Sequence, residues 1–367
     1  MKEWSNRYNP FNSIKVLVHR EHLEGMAKGN FLQPVYVNTD PSNRCNFNCI
    51  WCNAFECKVN PRMEDIPKDH LIRLADFYAE WGVKATCFAG GGEPFMNKYS
   101  GDCLLRLHKN GIEIGVVTNG SLLTDELIEI IIKTSRWVGL SIDAATNDTF
   151  MKVKGISNPR IFERVLINIE KTTKRARELS SGCDVGFKFL LHPFNASEIF
   201  KAAQLAKSLG VKDFQIRPVG WDNVYKIKDK KPICFDPFLD IINRQIEEAM
   251  ELEDGYFGVF GIRHKFQSNF QQKKKLGYSR CWSSPIHLTF AADGYAYICL
   301  DMRGNKNLIL CSHYPDPHEV LKFWNKKRHH QLLDSIDIQK CPRCTFGVYN
   351  EIVEHVFVKD NMCKNFM

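Results

Sequence analysis

Residues 44–53 read "RCNFNCIWCN", in which Cys45, Cys49 and Cys52 are spaced C-x3-C-x2-C and Trp51 directly precedes the third cysteine. Soft thiolates in so short a run point to zinc or an iron–sulfur cluster. A closed site of either kind takes four ligands, and this run supplies three. Three thiolates within eight residues can hold three irons of a four-iron cluster and leave the fourth exposed, much as a catalytic zinc keeps a position open for water. For such a run on its own the alternative is a structural zinc knuckle.

The rest of the composition narrows the setting. The chain has 367 residues, 44% apolar, 25% charged and 12% aromatic, enough for one large domain and a smaller one. Its 14 cysteines gather in the N-terminal triplet and a C-terminal set, whereas a disulfide framework would spread them along small domains. The first residues, "MKEWSNRYNPFNSIKVLVHR", mix charges among apolar positions and do not read as a signal peptide. No segment approaches the ~18 uninterrupted apolar residues of a membrane span. A cytoplasmic chain with ligated metal, and with neither membrane nor nucleic-acid partners, is expected. The net charge of +8 reflects 50 basic against 42 acidic residues, with basic runs at 226–232 ("KIKDKKP") and 271–280 ("QQKKKLGYSR"). No nucleic-acid module accompanies them, so they read as solvated surface, with a handle for an anionic substrate as the alternative.

From residue 34 short apolar runs alternate with amphipathic stretches. Strands are predicted at "PVYVNT", "ATCFAG", "EIGVVTNG", "WVGLSID", "VGFKFLLH" and "DFQIRPV", with helices such as "KDHLIRLADFYAEWG" and "PRIFERVLINIEKTTKRARELS" between them. Six strands separated by helices imply a parallel sheet with right-handed crossovers, closed or partly closed. Loops at the strand C-termini carry the chemistry of such sheets. The cysteine triplet, "GGGEP", "TNG" and "SIDAA" follow the first four strands, so they converge on one mouth. Beyond about residue 222 the alternation stops, and "DPFLDIINRQIEEAMELED" reads as one helix with an aspartate cap. No internal repeat stands out.

On these residues the chain resembles the radical S-adenosylmethionine (SAM) superfamily. The C-x3-C-x-aromatic-C triplet with Trp51, "GGGEP" (Gly90–Pro94), "TNG" (Thr118–Gly120), "SID" (Ser141–Asp143) and "QIRP" (Gln215–Pro218) carry the resemblance over about residues 34–220. It implies a partial (β/α)6 barrel and a [4Fe–4S] cluster on Cys45, Cys49 and Cys52. It further implies SAM contacts at Trp51, Gly91, Gly92, Glu93, Asn119, Ser141, Asp143 and Arg217. Glycines let main chain approach a ligand, and Ser141 and Asp143 suit ribose hydroxyls. Glu93 is open to two readings, a brace for its loop or a partner for the cationic end of SAM.

A second cysteine set begins "CWSSPIHLTFAADGYAYIC", with Cys281 and Cys299 either side of a hairpin turned at Asp293-Gly294, and ends at "CPRC" with Cys341 and Cys344. C-x12-G-x4-C followed by C-x2-C resembles the SPASM/twitch extension of radical SAM enzymes, which implies a small C-terminal α+β domain with one auxiliary [4Fe–4S] cluster. A four-thiolate zinc ribbon is the alternative, and a second auxiliary cluster would need Cys311, Cys363 and non-cysteine ligands. Cys57, Cys87, Cys103, Cys183 and Cys234 fall outside both patterns and read as structural. The expected organisation is an extension at 1–33, the radical SAM core at 34–222, a helical connector at 223–280, the twitch-like domain at 281–345 and a tail at 346–367.

The resemblance implies reductive cleavage of SAM to a 5′-deoxyadenosyl radical that abstracts a substrate hydrogen, with an external electron donor such as flavodoxin or ferredoxin. A small polar substrate, a sugar, cyclitol or nucleotide-linked metabolite, and its oxidation are expected. Modification of a ribosomal peptide, or epimerisation, stands as the alternative, and a non-catalytic metal-binding protein as the third. Lys188, His192 and Arg217 lie where a base or anchor would serve, although the high pKa of arginine makes Arg217 a poor base.

Overall fold

Six consecutive strands run parallel and in chain order, as the alternation of apolar and amphipathic stretches implies, and a seventh parallel strand follows them. A computed structural model describes residues 13–58, 62–219, 234–261, 277–341 and 344–359. The strands are β1 (Tyr36–Thr39), β2 (Ala85–Phe88), β3 (Glu113–Thr118), β4 (Trp137–Ser141), β5 (Asp184–Leu191), β6 (Asp213–Pro218) and β7 (Gly258–Gly261). Three more, β8 (His287–Phe290), β9 (Tyr295–Tyr297) and β10 (Ile309–Ser312), complete one sheet in the order β10-β9-β8-β1-β2-β3-β4-β5-β6-β7. The basic run at 226–232, most of that at 271–280 and Cys363 lie outside the described residues.

Local chemistry explains the crossover helices. The helix α1 (Lys68–Trp81) buries Leu71, Leu74, Ala75, Phe77 and Tyr78 and stops at Gly82, whose φ of 86° only glycine takes readily. Thr124 caps α2 (Asp125–Thr134) by accepting from Leu127 N. The 19-residue α3 (Arg160–Glu178) lays Val165, Ile169 and Ala176 on the core. No helix among the described residues is long and apolar enough to cross a membrane.

The structure departs from the sequence reading in three places. A helix at Asn147–Lys154, absent from that reading, is capped by Thr146 and ended by Gly155 in the left-handed region. The helix expected to carry an aspartate cap begins at Leu239 with Phe238 at its N-cap and no side-chain cap, while Asp236 opens a short 3-10 turn before it. A seventh parallel strand, β7, pairs with β6.

The C-terminal strands extend the barrel sheet itself. β8 lies parallel to β1, with His287 opposite Tyr36 and Phe290 opposite Thr39, and the hairpin to β9 turns at Gly294 with φ 85°. Buried polar contacts lock the two parts together. Arg303 donates to both carboxylate oxygens of Asp40 at 3.0 and 2.9 Å and to Gly90 O at 3.1 Å. Trp324 Nε1 donates to Leu32 O at 2.8 Å, and His70 Nε2 meets His313 Nδ1 at 2.9 Å. Because β9 runs antiparallel to β8 and β1, its C-terminal end lies towards the start of β1, and the chain returns from there so that Arg303 reaches Asp40 and Gly90.

With the side chains of Asp40 and Arg303 only 1% and 9% exposed, removing one partner strands the other charge. Asp40→Ala is expected to lower unfolding free energy by about 3–5 kcal/mol. Anaerobic denaturant titration measures this, and a loss below about 1 kcal/mol would show that the pair is not structural.

Candidate functional site

Three loops meet at the strand C-termini, and main-chain packing fixes the first against the second. Gly92 N donates to Ser42 O at 2.9 Å and Glu93 N to Arg44 O at 2.8 Å, directly before Cys45. A Cβ on Gly92 would fall 1.9 Å from Arg44 O, and one on Gly91 2.3 Å from Asn43 Oδ1. These glycines are therefore required first for contact with the cysteine-bearing chain. Of the three, Gly90 lines the open cavity beside the thiols.

The carboxylate of Glu93 joins the second loop to the third. Its Oε1 accepts from Thr118 Oγ1 at 2.6 Å and its Oε2 from Asn119 N at 2.8 Å. Burial pushes its pKa up to about 7 against these donors. Asn119 then closes the circle, since its Nδ2 donates to Asn46 Oδ1 at 2.9 Å, inside the cysteine loop. Glu93 and Asn119 thus stand behind the cavity wall as braces.

Cys49, Trp51, Cys52, Ser141, Asp143 and Arg217 line one cavity of about 640 Å³. Trp51 stacks on His192, ring centroids 5.5 Å apart, and its buried Nε1 has no acceptor among the described residues. An orphaned indole N–H on a residue that lines a cavity fits a bound molecule that supplies the acceptor. His192 Nδ1 accepts from Phe194 N, so that ring is engaged in packing and capping. Asp143 sits at φ 63°, donated to by Lys154 Nζ at 2.6 Å and by Leu190 N at 2.8 Å. Both members of the Asp143–Lys154 pair are 2% exposed.

Lys154 is one of two cations beside the thiols that the sequence reading missed. It ends the helix at Asn147–Lys154, whose carbonyls at Val153 and Lys154 accept from Ile50 N and Asn48 N of the cysteine loop. Burial pulls the Lys154 ammonium down, but Asp143 and Cys49 raise it overall; Lys58 is raised in the same way by Cys52, Cys45 and Cys49. Burial raises Cys45 and Cys49, the latter to about 11, while Lys58 draws Cys45 down and Lys154 draws Cys49 down, towards the thiolate that ligation needs. All three cysteines are free of disulfides, and no three His, Cys, Asp or Glu side chains among the described residues converge on a single metal ion. The donor set fits a cluster whose irons are spread out and held by soft ligands.

At the second set, Cys281, Cys299, Cys341 and Cys344 are brought together. Burial raises all four thiols, and neighbouring Cys281 and Asp301 raise Cys341 to about 11 and Cys344 to about 12. Two braces hold them. Asp301 accepts from Thr345 N at 2.7 Å and Thr345 Oγ1 at 2.9 Å, tying the Cys299 loop to the Cys344 loop. Asn350 Oδ1 accepts from Trp282 N and Ser283 N, both at 2.7 Å, and its Nδ2 reaches Cys344 Sγ at 3.6 Å. Glu354, one turn further along, accepts from Ser279 N and Trp282 Nε1. The stretch read as a tail is thus part of this site, and only the helical spacing of Asn350 and Glu354 hinted at it. Cys311 lies buried on β10 near Arg328 and Glu319. Cys57, Cys103 and Cys183 are buried and Cys234 is exposed, but Cys87, read as structural, lines the cavity.

Residues 39–226, just over half of the chain, match the Radical SAM superfamily. The chain belongs to the radical SAM superfamily. Among its relatives, the GTP 3′,8-cyclase of Staphylococcus aureus strain Mu50 is 28% identical over 273 residues, covering 71% of this chain and 76% of that protein. Among solved structures, Streptococcus suis SuiB bound to precursor peptide SuiA superposes with a TM-score of 0.63 at 16% identity, covering 91% of this chain and 73% of that one. Native anSMEcpe with bound AdoMet and Cp18Cys peptide gives 0.52 at 14% identity, covering 90% and 91%. The radical SAM barrel with a SPASM/twitch-type C-terminal extension, expected from the sequence, is the fold found. The protein is a radical SAM enzyme, with the [4Fe–4S] cluster and SAM that define its superfamily.

Glu93→Gln turns one acceptor into a donor facing Asn119 N or Thr118 Oγ1, and about 1–3 kcal/mol of stability should be lost. The raised pKa means that the folded protein keeps a proton which the unfolded chain releases between about pH 4.5 and 7. Wild-type stability should therefore fall as pH rises across that window, and the variant should lack this contribution. Denaturation midpoints of both proteins at pH 5 and 7.5 check the sign.

Proposed function

We propose that this enzyme modifies a peptide by hydrogen abstraction, aided by one auxiliary [4Fe–4S] cluster on Cys281, Cys299, Cys341 and Cys344. The observation carrying the reading is the extent of the fold match to peptide-bound SuiB, which covers 91% of this chain, well beyond the residues 39–226 of the superfamily match. The peptide-bound anSMEcpe match has similar reach. This replaces the preference drawn from the sequence for a free sugar or cyclitol. A nucleotide-type metabolite is the second reading, favoured by the higher identity to the GTP 3′,8-cyclases.

When bound, the N-terminal cluster and SAM supply a 5′-deoxyadenosyl radical. The residues of this chain do the rest. Cys45, Cys49 and Cys52 hold the cluster; Trp51, Ser141, Asp143 and Arg217 face the cofactor in the cavity, and Gly91, Gly92, Glu93 and Asn119 set the loops that receive it. The barrel wall excludes water and fixes the reacting C–H bond near the radical. Cys281, Cys299, Cys341 and Cys344 would hold the auxiliary cluster, which would supply one-electron redox chemistry, and flavodoxin or ferredoxin would be the external reductant. The division at residues 33, 222 and 280 belongs to the same proposal, with the stretch carrying Asn350 and Glu354 joined to the second thiol site.

Anaerobically reconstituted protein should contain about eight irons, one cubane per thiolate set. With dithionite and SAM it should release 5′-deoxyadenosine. Cys45→Ala should abolish this release, while Cys341→Ala should keep part of it and lose substrate turnover. Deuterium passing into 5′-deoxyadenosine from labelled peptide supports the first reading; passage from labelled nucleotide alone replaces it with the second.

A further inference from the structure

Below the loops, the inner face of the sheet presents a set of side chains that the reading above leaves unused. Gly115 on β3 and Gly139 on β4 have no room for a methyl group. A Cβ on Gly115 would fall 2.1 Å from the Trp137 indole, and one on Gly139 1.9 Å from Lys188 Cε. Two glycines thus let Trp137 and Lys188 lie across the interior, with Lys188 Nζ 4.7 Å from the Trp137 ring centroid.

Two buried amides complete the floor, and each has spent its acceptor and kept a donor. Gln215, in register with Lys188, accepts at Oε1 from Arg217 Nε at 3.1 Å and Nη2 at 2.8 Å. Its Nε2 has no acceptor among the described residues, although the side chain is 1% exposed. Asn38 on β1 repeats the pattern, accepting from Tyr36 Oη at 2.8 Å with Nδ2 unmatched at 2% exposure. Asn38 is in register with Cys87, on which the charge of Lys188 acts. Asn38, Cys87, Trp137, Lys188, Gln215 and Arg217 all line the same cavity.

Buried donors without acceptors are costly and rare in folded proteins. Two unmatched amide N–H groups and an ammonium, carried by side chains that line one cavity, call for a ligand rich in acceptors and negative charge. We propose that this floor is a subsite for an oxyanion of the substrate, a carboxylate or a phosphate, held by Lys188 Nζ, Asn38 Nδ2 and Gln215 Nε2. The assignment rests on the reading that substrate enters this cavity to meet the radical. Burial and Arg217 push the Lys188 pKa down to about 7, while Cys87 and Asp213 act the other way. A bound oxyanion favours the ammonium, so binding takes up a proton and weakens as pH rises above about 7.

The test uses protein carrying its clusters and saturated with SAM, titrated by calorimetry with inorganic phosphate or with acetate at pH 6.5. Acetate, ionised throughout, is then followed to pH 8.5. Wild type should bind at least one anion, acetate several-fold more weakly at pH 8.5 if it is the one bound. Lys188→Met and the nearly isosteric Gln215→Glu, both with wild-type iron content, should bind at least tenfold more weakly. Preference for phosphate assigns the subsite to a phosphorylated metabolite, and preference for acetate assigns it to a carboxylate such as a peptide carries. Absence of binding by wild type, or wild-type affinity in either variant, overturns the subsite. Failure of the radical reading would show separately, as wild type releasing no 5′-deoxyadenosine in an assay that involves no anion.

Discussion

Main-chain contact between Gly90–Gly92 and Ser42–Arg44 is the constraint on which the rest of the site depends. Peptide groups that approach this closely admit no side chain between them, and the two hydrogen bonds there fix the segment entering Cys45. From that clasp the order spreads outward through Glu93 to Thr118 and Asn119, and from Asn119 back to Asn46. A loop of three cysteines has little regular structure of its own. It gains rigidity from strands to which it is joined through other loops.

The same logic governs the C-terminal region. Its hairpin could have formed a separate layer, but pairing β8 with β1 places His287 opposite Tyr36, and the antiparallel β9 carries the segment of Cys299 back towards the start of β1. Arg303 then touches both Asp40 and Gly90, one group from each of the first two loops. The two thiol sets are thereby held to one framework. A buried ion pair adds little net stability, so its value here lies in fixing position.

Much of this was legible in the sequence because parallel strands and their helices write strong periodic patterns. The strand positions, the glycine stop at Gly82, the turn at Gly294 and the grouping of both cysteine sets follow from local rules. What was not legible depends on tertiary neighbours. Glu93 reads equally well as ligand contact or brace until Thr118 and Asn119 are placed against it. Cys87 reads as a small core residue because a strand position does not tell which face meets a cavity. Lys154 lies on a short helix with too few apolar positions to declare itself, and Lys58 acquires significance only beside Cys52. Asn350 and Glu354 act on residues about 70 positions earlier, a separation that no local pattern records.

That last separation bears on how the protein matures. The braces that join the first loops of the N-terminal thiols to one another and to Asp143 lie within the chain up to about Leu190, and Arg303 adds its contact to Asp40 and Gly90 later. Cys281 and Cys344 stay unclasped until Asn350 and Glu354 emerge. Synthesised from its N-terminus, the chain therefore completes the braces of the second thiol set last.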